Sequence, residues 1–258
     1  MSRPSLRLAL VGYGKMGRAI EEIALERGHR ISARIDPVSE GEEAAPRWKD
    51  LAGSSDIALE FTAPDCAAEN ILGLLREGVS VVSGSTGWTS ALGRARDQAR
   101  ESGVSFVWAP NFALGINIMF RLVLAAAGWM EAAEGFAPYL SEAHHAGKKD
   151  GPSGTARKLA EIVLSRSSGK KRCERPPADG AIAEDVLPVS WIRAGRIPGE
   201  HRVGWDAEGE TLEIVHRARD RSVFATGALR CAEWLFRHPG VYEFDEVLDS
   251  ILGSEEVR

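Results

Sequence analysis

Residues 6–17 read LRLALVGYGKMG, and this stretch decides the fold. Leu6 to Val11 is a short, nearly continuous apolar run that stops at a glycine, the pattern of a strand buried on both faces of a parallel sheet. Gly12, Gly14 and Gly17 follow with GxGxxG spacing. The first allows a tight turn, the second lets a pyrophosphate approach the backbone, and the third permits close packing of the next helix on the strand. Backbone N–H groups at the start of that helix present partial positive charge to phosphates. Gly12, Tyr13, Gly14, Lys15, Met16 and Gly17 are therefore candidate dinucleotide contacts.

Outward from this turn, Met16, Ile20, Ile23 and Ala24 recur at helical spacing over residues 16–27, and Gly28 offers a C-terminal stop. Strand and helix patterns then alternate: strand 29–35, strand 57–61, helix 66–76, strand 79–83, helix 92–102 and strand 104–108. Short connections between such elements predict βαβ units and a parallel sheet. The rhythm changes after Asn111. A helix over 116–131 precedes strand-like runs at 136–144, 189–193, 202–205 and 211–216, while the charged, Pro- and Ser-containing stretch 167–179 reads as an exposed loop. Helices at 225–236 and 244–252 are expected to rejoin the first unit. The fold class is α/β: an N-terminal Rossmann-type parallel sheet in a dinucleotide-binding domain (1–112 plus 226–258), and a mixed α+β domain for substrate and oligomerisation (113–225).

Asp36 closes the second strand roughly twenty residues beyond the glycine turn. There a carboxylate accepts hydrogen bonds from the adenosine ribose hydroxyls and repels an added 2′-phosphate. NADH is thus the expected cofactor over NADPH, with Lys15, Arg18 and Arg34 as the charges able to soften that preference. Two further loops follow strands, and ligands of such sheets gather beyond the carboxyl ends of strands. In the first, Gly84, Ser85 and Thr86 offer backbone and hydroxyl contacts to the nicotinamide half; the second is Ala109, Pro110, Asn111 and Phe112.

The densest chemistry lies in EAHHAGKKDGPSGTA, residues 142–156. His144, His145, Lys148, Lys149, Ser153 and Thr155 crowd one loop ahead of a helix expected to begin near Thr155. Ser153, Gly154 and Thr155 open that helix and so form a carboxylate cradle of hydroxyls and N–H groups. Adjacent histidines on an extended chain face opposite ways, so one is expected at the reacting carbon and the other at the loop or a carboxylate. No metal is expected, because His144 and His145 are adjacent and lack an HxxxH or cysteine partner. His29, His201, His216 and His238 read as structural.

Across its 258 residues the chain has a net charge of −5, which disfavours a general nucleic-acid binder. Its three cysteines, Cys66, Cys173 and Cys231, are scattered without CxxC spacing, so neither a disulfide framework nor a zinc site is expected and a reducing cytoplasm fits. The longest apolar stretch is broken by Arg121, and no membrane span is expected.

At this point the residues resemble a known family. EAHHAGKKDGPSGTA is similar to the signature loop of the dihydrodipicolinate reductases, E-x-H-H-x-x-K-x-D-x-P-S-G-T-A. The resemblance extends through EFTAPD (60–65), GSTGW (84–88), APNFALGIN (109–117), RAGRIPGEH (193–201) and FATGALRCAEWL (224–235), nearly the whole chain. It implies His144 as proton donor, Lys148 as a second catalytic group, and His145, Gly154 and Thr155 as holders of substrate carboxylates. It also implies hydride addition to C4 of a conjugated cyclic imine in lysine biosynthesis, a homotetramer built on the second domain's sheet, and closure of the domains. Three departures bear on cofactor choice: a compact first glycine loop, Pro37 where some members have a basic residue after Asp36, and Ser85 where Thr is usual. The other readings are a two-domain dehydrogenase of another small acid and a nicotinamide-binding sensor without turnover. The first lacks a placed cysteine for a thiohemiacetal route, and the second leaves the His-His-Lys cluster unexplained.

Overall fold

The computed structural model describes residues 5–36 and 48–253; Pro37 lies outside them. The chain divides into two compact units, Met1–Leu114 with Arg221–Arg258, and Gly115–Asp220.

The first unit opens with β1 (Arg7–Val11), α1 (Lys15–Glu26) and β2 (Arg30–Ile35), followed by a short α2 (Trp48–Leu51). Then come β3 (Ile57–Glu60), α3 (Pro64–Arg76), β4 (Val81–Ser83), α4 (Leu92–Glu101) and β5 (Phe106–Trp108). The second unit holds α5 (Leu114–Ala132, its first residue in the first unit), β6 (Ala137–His144), α6 (Gly154–Arg166), β7 (Arg172–Glu174), β8 (Val186–Arg193), β9 (Glu200–Asp206) and β10 (Thr211–Arg217). The chain then returns to the first unit with α7 (Ser222–Arg237), β11 (Val241–Glu243) and α8 (Phe244–Leu252).

The first sheet has the order β11-β5-β4-β3-β1-β2, and every pairing is parallel. From β1 the chain goes first to β2 on one side and then to β3 on the other, so β1 and β3 flank the switch point where a doubly wound sheet opens a ligand crevice. Apolar layers fill both faces. On one, Leu8, Leu10 and Leu59 meet Ile20 and Ala24 of α1, Ala228 and Leu229 of α7, and Leu248 of α8. On the other, Ala9, Val11 and Ala58 meet Ile71, Leu74 and Ala95. Central strands buried on both faces explain why they read as continuous apolar runs rather than alternations. Glu233 of α7 accepts hydrogen bonds from Arg27 (2.6 Å) and His29 (3.0 Å), and His29 Nδ1 accepts from Leu6 N–H, so His29 is structural.

The second sheet is mixed, in the order β10-β9-β6-β8-β7, antiparallel at its β10/β9/β6 side and parallel at β6/β8/β7. Strand β6 alternates strictly: Pro138, Leu140, Glu142 and His144 are buried and their neighbours less so. The buried face receives Leu159, Ala160 and Val163 of α6.

The structure corrects several sequence expectations. Residues 167–179 are not all loop, because Arg172–Glu174 pairs with β8. The strand β11, only three residues long, extends the parallel sheet through β5 and had no signature of its own. Helix α5, expected over 116–131, runs from Leu114 to Ala132; by length and composition alone it is apolar enough to cross a membrane, but Ile116, Met119, Phe120, Val123 and Ala127 are buried, as in a core helix.

Candidate active site

In the first unit the candidate cofactor residues gather at the carboxyl ends of β1, β2, β4 and β5. Gly12 takes φ +90°, and a Cβ there would lie 2.2 Å from the Phe61 carbonyl oxygen; one on Gly17 would lie 2.3 Å from the Gly12 oxygen. Both glycines are required by close backbone approach. A Cβ on Gly14 would meet nothing within 4 Å, which leaves the turn open where a pyrophosphate would approach. Helix α1 has no side-chain cap and no acid in its first turn, so its N-terminal donors suit an anion. Lys15 is exposed, while Tyr13 and Met16 are half-buried against the first apolar layer.

Asp36 follows β2 directly, as the fingerprint requires. Nearby, Glu21 takes the Arg34 guanidinium (Nε at 3.0 Å, with Nη2 also bonded) and the Tyr13 hydroxyl, while Arg18 and Arg34 stand 5.5 and 5.9 Å from the Tyr13 ring centroid. The hydrogen bonds from Arg34 and Tyr13 hold the Glu21 carboxyl below the usual range.

The loop after β4 is organised from beneath by Glu60, at the end of β3 and 0% exposed. Its carboxylate accepts from Ser83 Oγ (2.6 Å), Ser85 Oγ (2.9 Å), Thr62 N–H (3.1 Å) and the Thr62 hydroxyl. Burial drives the Glu60 pKa upward against these donors, all of them neutral. Ser85 Oγ also accepts from Thr62 N–H at 2.8 Å, and the Ser85 carbonyl accepts from Trp88 and Trp108 Nε1, both at 2.9 Å. The expected ligand contact by the Ser85 hydroxyl is therefore corrected: that group points inward and shapes the loop. Gly84 is half-buried and Thr86 exposed. In the other loop, Phe112 is 1% exposed with its ring 4.8 Å from Phe244, so its side chain is core, and Ala109 is likewise buried. Only Pro110 and Asn111 present side chains outward, and Asn111 Oδ1 accepts from Ala113 N–H.

In the second unit the loop after β6 surrounds a buried carboxylate. Glu142 Oε1 accepts from Arg193 Nη2 at 2.6 Å and Ser153 N–H at 3.0 Å. Glu142 Oε2 takes the Ser153 hydroxyl and lies 3.3 Å from His201 Nε2 and 3.6 Å from His144 Nδ1. Burial opposes ionisation, but the donors His201, Ser153 and Arg193 outweigh it and hold Glu142 far below the usual carboxylate range. His144 is pulled down to about 4 by burial, with the neighbouring basic groups His201, Lys148 and Arg193 adding to the effect and Glu142 opposing it. The His144 and His201 rings meet edge to face at 5.0 Å.

The structure thus brings His144, Lys148 and Ser153 around one centre. Lys148 Nζ pairs with Asp150 at 2.7 Å. Ser153 caps α6 by accepting from Ala156 N–H at 3.1 Å, and α6 begins at Gly154, one residue earlier than expected. The expectation that the Ser153 hydroxyl contacts a ligand is corrected, since it is 3% exposed and bonded inward; Gly154 is exposed, and His145 and Thr155 are half-buried. His201, read from sequence as structural, belongs to this cluster, as does Arg193. Their signal was present in the charge-rich RAGRIPGEH but had no assigned chemistry. Glu142, His144 and His201 offer three atoms within 4.8 Å of one another, a metal-like spacing among the described residues. Both Glu142 oxygens are already engaged, however, and Arg193 and Lys148 oppose a further cation.

A dinucleotide-type crevice on a doubly wound sheet and a buried acid–base cluster together define an oxidoreductase of the nicotinamide-dependent class. Sequence models of the N-terminus and C-terminus of dihydrodipicolinate reductase match residues 6–112 and 115–248. The 4-hydroxy-tetrahydrodipicolinate reductase of Christiangramia forsetii is 35% identical over 95% of this chain and 99% of its own. That of Thiobacillus denitrificans is 34% identical over 95% and 98%. A dipicolinate-bound dihydrodipicolinate reductase from Paenisporosarcina sp. TG-14 shares the fold, with a TM-score of 0.74 at 22% identity over 95% of this chain and 100% of that one. The chain belongs to the dihydrodipicolinate reductase family.

Proposed function

We propose that the chain reduces 4-hydroxy-tetrahydrodipicolinate, by way of dihydrodipicolinate, to tetrahydrodipicolinate in the diaminopimelate route to lysine, with His144 as the proton donor. The single observation that carries the assignment of roles is the cluster around Glu142, which gathers a buried imidazole, a lysine and a helix N-terminus in one loop. A reduced nicotinamide supplies the hydride to C4 of the conjugated imine when bound, and Gly12, Tyr13, Gly14, Lys15, Met16, Gly17, Asp36, Gly84, Thr86, Pro110 and Asn111 would hold that cofactor, with the Ser85, Ala109 and Phe112 backbone beside them. The residues present suit it: open backbone at Gly14, an uncapped α1 and a carboxylate at Asp36.

The chain's own residues carry the remaining steps. His145, Gly154 and Thr155 hold the substrate carboxylates, and Lys148 adds a positive charge, because a dianion needs cationic and helix-terminal donors. Hydride addition leaves the carbon beside C4 electron-rich, and an imidazolium at His144 protonates it. His144 favours its neutral form without substrate. Two carboxylates nearby raise its proton affinity, so the acid is charged when the substrate arrives.

NADH is preferred over NADPH in this reading. Asp36 repels a 2′-phosphate, and Arg34, the cation best placed to offset it, is already paired with Glu21. The protein works in the cytoplasm as a homotetramer assembled through the second unit's sheet, where Ile192 (61% exposed), in register with Ala143, leaves apolar surface uncovered. The test follows oxidation of NADH and of NADPH while dihydrodipicolinate synthase generates the substrate in the same cuvette. Turnover faster with NADH is expected. Protein that binds either cofactor but oxidises neither would refute the substrate, and faster turnover with NADPH would refute the preference.

A further inference from the structure

We infer that Glu142 is the positioning residue for the acid: its carboxylate holds His144 with Nδ1–H turned inward and compensates the imidazolium, leaving Nε2 to carry the transferable proton. The inference rests on the reading that His144 donates that proton, and goes beyond it by naming what makes a buried histidine able to do so.

The geometry supports it in three ways. His144 Nδ1 is buried and, among the described residues, has no hydrogen-bond partner; the carboxylate oxygen Glu142 Oε2 lies 3.6 Å from it. A neutral imidazole carries one N–H, and the nitrogen facing a carboxylate is the one that keeps it. Glu142 is itself fixed from two strands: it is the register partner of His201 across β6 and β9, and Arg193 of β8 reaches it from beside His144. The groups facing His144 are Glu142 on its own strand, His201 on β9, Arg193 on β8 and Lys148 in the following loop; Glu142 alone of these is acidic, and Lys148 is itself paired with Asp150 at 2.7 Å. Without it, three basic groups would act on an imidazole that must become positive. The same arrangement of carboxylate, imidazole and reacting atom orients the base in hydrolytic triads.

The test compares the intact enzyme with His144→Gln, Glu142→Gln and Glu142→Asp, measuring kcat and KM against pH. Glu142→Gln should lower kcat roughly a hundredfold with less than about a fivefold change in substrate KM, since the amide keeps an acceptor for Ser153. It should also move the alkaline limb of kcat down by about one pH unit, because the substrate-bound acid loses its counter-charge. Glu142→Asp should recover part of kcat and return the limb. Wild-type kcat and pH profile in Glu142→Gln, with His144→Gln inactive, would overturn the inference and leave the proton-donor reading standing. Wild-type behaviour in His144→Gln would overturn both. Should the Glu142 variants not fold, nitrogen NMR of the wild-type ring decides: the neutral Nδ1–H tautomer at His144 supports the inference, and the Nε2–H tautomer overturns it.

Discussion

Two glutamates, Glu60 and Glu142, are both almost fully hidden from solvent at or near the carboxyl ends of strands, and their pKa values are pushed in opposite directions. Glu60 is bonded by three hydroxyls and one amide, all neutral, and burial raises its pKa. Glu142 is bonded by a guanidinium, with a second histidine and Ser153 beside it, and its pKa is depressed despite burial. Burial alone therefore does not decide the charge of a carboxyl; the charge of its donors does. The first arrangement shapes a loop through neutral donors alone. The second stores a fixed negative charge next to a group that must become positive.

The largest break in this comparison is His144→Gln. Removing the acid should lower kcat about a thousandfold, within the range expected for general acid–base catalysis. The Glu60 side of the molecule should not notice: the dissociation constant for NADH, read by fluorescence titration, is expected to stay within twofold. A large loss of NADH affinity would show that the two regions are not separate in their roles.

Stability separates the pair next. Glu142→Gln strips the charge from a buried ion pair and leaves the Arg193 guanidinium without its counter-ion, a loss of about 3 kcal/mol. Glu60→Gln removes no charge partner, and the hydroxyls of Ser83, Ser85 and Thr62 can rotate to accept from the new amide, so about 1 kcal/mol or less is expected. Urea denaturation at neutral pH measures both. Equal losses would mean that donor charge is not what distinguishes the two sites.

How much of this was legible in the sequence follows from the range of each interaction. Gly12, Gly14, Gly17 and Asp36 act through local turn and helix geometry, so their placement could be read directly. So could the crowding of His144, Lys148 and Ser153 within one loop. Arg193 and His201 could not, because they reach Glu142 only through the pairing of β6 with β8 and β9; Arg193 is 51 residues away along the chain. The inward turn of Ser85 and Ser153 was hidden for the same reason: each hydroxyl answers a buried carboxylate that only the folded sheet brings near. The strand β11 was missed because three residues carry no period, and its partner β5 lies far back in the chain.

The opposite shifts also predict opposite acid responses. His144 has a folded pKa of about 4 against 6.5 when unfolded, so the unfolded chain binds the extra proton first as pH falls through that window. Stability is then lost on going from pH 7 to 5, by about 2 kcal/mol for this one group. Glu60 works the other way: with its folded pKa raised, the folded state holds the proton longer, and stability is lost as pH rises through the folded value. Melting temperatures taken between pH 5 and 8 should show a flatter acid side for His144→Gln, whereas Glu60→Gln should lose the opposing decline and rise more steeply toward neutrality. The same slope in both variants as in the wild type would break the comparison.

Glu21 sharpens it with the smallest effect. Like Glu142 it holds a guanidinium, but Arg34 is 47% exposed on its side chain, where water screens the pair. Loss of this pair should barely move the melting temperature. Its consequence is one of specificity: with Glu21→Gln, the Arg34 guanidinium is no longer neutralised and can turn to a 2′-phosphate beside Asp36. The ratio of kcat/KM for NADPH to that for NADH should rise several-fold, chiefly through a lower KM for NADPH. An unchanged ratio would mean that Asp36 alone sets the preference and that the Glu21–Arg34 pair is only a surface contact.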